Sequence, residues 1–360
     1  LSDSLTIAAT TRYNFPPQEG NKPFPKHLIE LSINSLKDAQ NQPFQLNQQF
    51  FQYNNNLKEY TQTENPRLEM VSLKPRQEET AVTAVDTSTI KIGETRKGIL
   101  IAIRGANVWK KYKKYKYQRF GPFIFHVTEE SKDKVYENLL KTQLNSLTRN
   151  HIHNSSSLLH ITARISSHLE IWLQNMLSKT TTNSLILYDG SLSSGTTENL
   201  RNSMRRALKH GRKRGNVVLA FSKITNLRLN GYLITDLLFQ HKPPYMLEIS
   251  GLKSKPPIIL FGKIHVAKLS KGNFAFRLDI DENISRNRRV EAVEKLLGND
   301  MVSHSYPETL RLAHILCTFT ANEVVAMQHF ISNEYDLKLI NRPDMHKLLF
   351  GPFGKGESHI

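Results

Sequence analysis

The sequence predicts an α/β fold: a mixed sheet flanked by helices, with an N-terminal extension and an additional β-hairpin and helical part towards the C-terminus. Three observations predict it. Short apolar, β-branched runs recur from residue 81 onward. Stretches with helical apolar spacing separate the later runs. Two of the runs end in an aspartate followed by small residues, Val85-Asp86-Thr87-Ser88 and Tyr188-Asp189-Gly190-Ser191.

Residues 1–80 read as a region apart, an extension that is either a flexible arm or a partner-binding segment. Pro16, Pro17, Pro23 and Pro25 interrupt its start, and a short helix is expected over Lys26–Ile33. From Gln40 to Asn65 the chain is rich in Gln and Asn, with Phe44, Phe50, Phe51, Tyr53 and Tyr60 interspersed. Such a composition suits a polar arm, and the aromatics suit an extended segment laid on a partner.

From residue 81 the pattern changes. Thr83–Asp86, Gly98–Arg104 and Phe123–Val127 read as three strands. Two helical stretches follow, one spaced by Val135, Leu139, Leu140, Leu144 and Leu147, the other by Leu158, Ile165, Leu169, Leu173 and Met176. Ser184–Asp189 is a fourth strand, then a helix over about Thr196–Lys213, then a fifth strand over Asn216–Phe221. Pro257–Ser270 and Asn273–Ile280 flank Lys271-Gly272, a hairpin signal. A last helix is expected from Pro307 to about Phe330, within a domain of residues 81–335, and residues 336–360 are left as a tail. Three strands, helix, strand, helix, strand is the order of an RNase H-like sheet. In that topology strand four lies parallel beside strand one, which brings Asp86 and Asp189 together.

The chain has 360 residues, a net charge of +17 and an isoelectric point near 9.8. Such a balance points to a polyanionic partner: DNA, RNA or an acidic membrane surface. Cys317 is the single cysteine, so an internal disulfide is excluded, and its apolar setting reads as a small buried hydrophobe in a reducing cytoplasm. No apolar run reaches membrane-spanning length. Phosphate-loop, dinucleotide-binding, zinc-spaced and serine-nucleophile signatures are absent, which leaves ATPase, dehydrogenase and serine-hydrolase readings without support.

Several residues carry candidate chemistry. Asp86 and Asp189 read singly as turn formers. As a pair at adjacent strand ends they repel unless a divalent ion, Mn2+ or Mg2+, lies between them. Glu170, at the border of a helical stripe, is the candidate third ligand, with Glu129, Glu130 and Glu137 as alternatives. His314 lies on the same helix as Tyr306, Glu308 and Arg311, as a ligand, a proton carrier or a packed core histidine. Tyr306 is read as positioning a phosphate or His314, and Lys223, just after the fifth strand, as neutralising charge on a phosphate.

Cations and aromatics interleave over Lys110, Lys111, Tyr112, Lys113, Lys114, Tyr115, Lys116 and Arg119, a pattern suited to single-stranded nucleic acid. Arg205 and Arg206 belong to a second cluster that puts a cationic stripe on one helix. Arg286, Arg288 and Arg289 form a third.

With Tyr306-Pro307-Glu308-Thr309-Leu310-Arg311-Leu312-Ala313-His314 and Asp189-Gly190-Ser191 as its most specific parts, this set resembles the NurA nuclease family. The resemblance spans about residues 80–330 and the terminal Leu349-Phe350-Gly351-Pro352-Phe353. Asp86, Glu170, Asp189, Lys223, Tyr306 and His314 fall at the family's motif positions in order, with Thr87 where the family usually has Gly. The resemblance implies a Mn2+-favouring DNA nuclease with 5′-to-3′ exonuclease and single-strand endonuclease activity. It also implies a homodimer that docks on a HerA-type hexameric ATPase and resects double-strand breaks in archaea. Two other readings stand beside it: an Argonaute-like or transposase-like nuclease on the same fold, and a nucleic-acid-binding scaffold whose site has decayed.

Overall fold

The structure, a computed structural model, describes residues 24–41, 61–62, 67–135, 158–194, 198–225, 227–229, 232–238, 242–254 and 258–340. The expected helix over 135–147, the competitor Glu137, most of the Gln/Asn-rich arm and the terminal motif at 349–353 lie outside these residues.

A helix α1 (Phe24–Asn41) precedes the sheet. The nine strands of the sheet are β1 (Arg67–Ser72), β2 (Val82–Glu94), β3 (Gly98–Lys111), β4 (Lys114–Thr128), β5 (Leu185–Asp189), β6 (Val217–Ser222), β7 (Tyr245–Ser250), β8 (Gly262–Lys268) and β9 (Phe276–Asp281). Helix α2 (Leu158–Thr180) joins β4 to β5, and α3 (Glu198–Lys213) joins β5 to β6. Beyond β9 come α4 (Arg286–Asn299), α5 (Glu308–Cys317) and α6 (Ala321–Tyr335).

The spatial order is β1-β7-β8-β9-β6-β5-β2-β3-β4. Its last five members are an antiparallel meander, β2 to β4, followed by β5 parallel to β2 and β6 parallel to β5. This is the RNase H-like order, extended by four antiparallel strands. The expected hairpin is β8–β9, in antiparallel register from Gly262↔Asp281 to Ala267↔Phe276.

Alternation along the strands explains the two layers of helices. Val85, Ile186, Tyr188, Val218 and Ala220 pack towards α2 and α3, in one core with Ile161, Ile165, Leu169, Leu173 and Leu177 of α2. Val82, Ala84, Leu185, Leu187, Val217 and Leu219 point the other way, against α4 and α5. With both faces covered, β5 and β6 read as unbroken apolar runs, and only their last residues are free to be polar. Each fully buried Leu or Ile of α2 contributes about 1.5–3 kcal/mol. Gly105 admits this helix closely: a Cβ there would stand 2.5 Å from Leu173 Cδ1.

Three sequence expectations change. The helix expected from Pro307 to Phe330 is two helices: α5 stops at Cys317, and α6 restarts from a capping box in which Thr320 and Glu323 satisfy each other's backbone. Tyr306 and Pro307 do not open a helical turn but pair with Val302 and Ser303 in a short ladder, Pro307 being the N-cap. Residues 67–80, assigned by composition to the extension, are built into the sheet and its cover. There β1 pairs with β7, and residues 74–80 lie along α4 through Lys74 N to Glu294 Oε1 (3.1 Å), Arg76 N to the Glu294 carbonyl (3.0 Å) and Thr80 N to Asn299 Oδ1 (2.9 Å).

Candidate active site

The site follows from strand parity. Val82, Ala84 and Asp86 share one face of β2, and Leu185, Leu187 and Asp189 share the same face of β5. Asp189 is the last residue of its strand. Asp86 is not: β2 runs on to Glu94, and what ends beside it is the parallel ladder with β5, whose last pair is Val85↔Tyr188. Both carboxylates therefore stand where two parallel strands part, beyond the carboxyl end of β5. After Asp189, Gly190 turns the chain at φ +118°, a left-handed conformation natural to glycine, and its N–H donates to the Phe221 carbonyl at 2.8 Å.

Helix α5 lies over this face. His314 Nδ1 is 2.7 Å from Asp86 Oδ2 and 4.0 Å from Asp189 Oδ2. Lys223, just past β6, holds Asp189 Oδ2 at 2.5 Å. Tyr306 packs edge-on against Phe221 and Phe276, with Lys223 Nζ 5.6 Å from its ring centre. Its hydroxyl is buried beside Asp189. Thr87, at the position where glycine was expected, does not crowd Asp86. It lies in regular strand, its N–H donates to Asp86 Oδ1 at 2.7 Å, and its hydroxyl meets Ser166 Oγ on the opposite face at 3.1 Å.

Glu170 comes from α2, across the sheet. Burial, then the charges of Asp86 and Asp189, push its carboxyl up to about 8, against the hydrogen bond from Gln174 Nε2 at 2.9 Å. Burial and Asp86 likewise raise Asp189, opposed by Lys223 and His314. The hydrogen bond to Asp86 raises His314, against desolvation. Buried acids whose neighbouring acids further oppose their ionisation make a place for a cation. The donor set of Asp86, Glu170 and Asp189 with His314 beside them fits a hard divalent ion, which prefers oxygen ligands. The alternatives to Glu170 fare differently: Glu129 pairs with Lys132 in the turn after β4, and Glu130 is exposed in the same turn.

Cys317 is the residue that sequence reasoning passed over. It is buried, as expected of a small hydrophobe, yet it lies one turn beyond His314 and borders Asp86, whose charge, after burial, raises its thiol. The i, i+3 spacing from His314 was the available signal.

The cationic regions divide. Lys110 is 3.2 Å from the buried Asp300, and Arg119 shares Glu323 with Arg104. Both read as binding residues in the sequence, and both also hold ion pairs within the fold. The third cluster is likewise paired within the fold, though only Arg289 is buried: Arg286 and Arg289 pair with Glu248, and Arg288 donates to the Gly215 carbonyl at 2.8 Å. By contrast, Lys111, Lys113, Lys114 and Lys116 are exposed, with Tyr112, Tyr115 and Tyr117 at 69%, 39% and 53% exposure, at the tip of the β3–β4 ribbon. Arg205 and Arg206 are exposed on α3. Asp86 pairs with Ala106, so the tip at Tyr112 is six residues away, roughly 20 Å along the strand.

Among the described residues no helix is long and apolar enough to cross a membrane. The NurA domain family matches residues 80–316. No curated protein matches significantly. Among solved structures, endonuclease V from Bacillus subtilis is similar at 10% identity over 74% of this chain and 88% of its own, with a TM-score of 0.33. The C-terminal lobe of a budding yeast Argonaute is similar at 12% identity over 72% of this chain and 52% of its own, TM-score 0.29. Kluyveromyces polysporus Argonaute with a guide RNA is similar at 10% identity over 66% and 27%, TM-score 0.21.

Proposed function

The chain belongs to the NurA family, and from that membership we propose that it is a metal-dependent DNA nuclease that hydrolyses phosphodiester bonds where β2 and β5 part. The observation that carries the reading is the meeting of Asp86 and Asp189, from separate strands, around His314 Nδ1 at 2.7 and 4.0 Å, with Glu170 of a third element near enough for their charges to act on it. Asp86, Glu170, Asp189 and His314 are the residues that would hold the ion, Mn2+ or Mg2+. When bound, it supplies a Lewis acid for the scissile phosphate and a more acidic water. Lys223 brings a positive charge to the same rim for the charge that develops on the phosphate. His314, exposed on one side and hydrogen-bonded to Asp86 on the other, keeps a proton more tightly than a free imidazole; it either gives up that proton to complete the ion's shell or passes it to the leaving oxygen. Tyr306 walls the site and presents a buried hydroxyl beside Asp189 to orient the phosphate.

Family membership alone supports the finer assignments. They are 5′-to-3′ exonuclease and single-strand endonuclease action in double-strand break resection, in the cytoplasm, by a homodimer docked on a HerA-type hexameric ATPase. In this reading residues 81–335 are the nuclease unit, 1–80 an extension that lends β1 to the sheet, and 336–360 a tail. The test is incubation of end-labelled single- and double-stranded DNA with purified protein. Cleavage is expected with Mn2+ or Mg2+, none in chelator, and full recovery when the ion is restored. Absence of cleavage with every divalent ion tried would leave a binding scaffold.

The ribbon tip is assigned to strand binding. Replacing Lys111, Lys113 and Lys114 together with Ala should weaken single-strand binding and lower the slope of log affinity against log salt by up to about 2 for three lost phosphate contacts. Thermal stability should not change, because these side chains are exposed at the tip. Lys110→Ala is the control: it strands the buried Asp300 and should act on stability instead.

A further inference from the structure

We propose that a borderline-soft divalent ion of the zinc class binds Asp86, His314 and Cys317, and that its binding closes the nuclease site. The carboxylate, imidazole and thiol each offer one ligand atom, and these atoms lie within 4.8 Å of one another. Two elements bring them together. His314 and Cys317 are one turn apart on the same face of α5, and Asp86 rises from β2 beneath them. A set of one nitrogen, one sulfur and one oxygen ligand is the chemistry of Zn2+, and three protein ligands leave its fourth position open. An ion that favours oxygen has no use for the sulfur; it is served by Asp86, Glu170 and Asp189 instead.

Asp86 belongs to both sets, so the two ions compete. On binding, the His314–Asp86 hydrogen bond breaks, three bonds to the ion form, and two groups release protons to solvent: the Cys317 thiol and the His314 nitrogen that binds the ion. Nothing is oxidised or reduced. The soft ion would thus withdraw Asp86 and His314 from the catalytic group. The binding half of this inference stands on the geometry alone, and the inhibitory half rests on the nuclease reading.

Because Cys317 is the single cysteine of the chain, one spectrum identifies it. Titrating the full chain with Co2+ as the optical stand-in for Zn2+ should produce thiolate-to-cobalt charge-transfer absorption in the near ultraviolet, saturating at one ion per chain. Added Zn2+ should bleach it, and Zn2+ should slow alkylation of the thiol at least tenfold. Cys317→Ala, checked for its fold by circular dichroism, should lack the band and need at least tenfold more Zn2+ to inhibit Mn2+-dependent cleavage. Absence of the band in the unaltered protein, or its persistence in Cys317→Ala, would overturn the inference. Cleavage with Mn2+ but no cobalt–thiolate band would sink this proposal and leave the nuclease standing. The band without cleavage under any ion would do the reverse.

Discussion

Asp189→Ala is expected to lose about a thousandfold of the metal-dependent cleavage rate while keeping its fold and its affinity for DNA. The magnitude follows from the role: a carboxylate that holds the catalytic ion supports several kcal/mol of transition-state stabilisation, and about 4 kcal/mol corresponds to a thousandfold. Stability should hold for a separate reason. Asp189 is raised by burial and by Asp86, so its removal relieves a repulsion, and Lys223, 39% exposed, can exchange its partner for water. Single-turnover rates with saturating Mn2+, a thermal melt and a DNA-binding isotherm check the three parts. A variant that retains the parent rate would remove Asp189 from the site.

Glu170→Gln should change how the protein responds to pH. In the folded, metal-free chain the Glu170 carboxyl keeps its proton up to about 8, against 4.5 for the ordinary side chain. Its folded value is raised, so the stability it contributes is complete below the unfolded value and is lost as pH rises through about 8. The metal-free protein should therefore melt at lower temperature at pH 9 than at pH 5. His314, raised by Asp86, contributes in the same direction. Glu170→Gln keeps a neutral side chain of the same size and should flatten the Glu170 part of that dependence. Divalent ions should act oppositely. Below pH 8 they must displace the Glu170 proton, so their affinity should fall by about tenfold for each unit by which pH drops, and in Glu170→Gln the Glu170 part of this dependence should vanish together with most of the cleavage. Melting temperatures with and without Mn2+ across pH 5–9 measure both effects. An unchanged pH profile in the variant would show that Glu170 does not face the ion.

Much of this site was legible because strands alternate. Runs such as Val82–Asp86 and Leu185–Asp189 declare their buried face and their polar end, and the three-strand, helix, strand order dictates a parallel neighbour. What stayed hidden depends on partners distant in the chain. That Asp86 sits mid-strand follows from where β5 stops pairing, not from its own neighbours. Lys110 and Arg119 look like the other cations of their ribbon until Asp300 and Glu323 arrive from 190 and 204 residues away. The three arginines at 286–289 look like a patch until Glu248 meets two of them. Edge strand β1 carries a weak pattern because four of its first five residues face water, so its place in the sheet is set by β7. The break before α6 was readable in principle, since Thr320 and Glu323 have capping-box spacing, but the apolar period runs through it.

The distance between the ribbon tip and Asp86 imposes a minimum footprint. At the 3.4 Å per nucleotide of a strand that stays stacked, roughly 20 Å corresponds to about six nucleotides. Oligomers shorter than that can occupy the tyrosines or the acidic rim, but not both at once. Turnover should therefore decline abruptly near the end of digestion, leaving short remnants that the enzyme releases rather than trims.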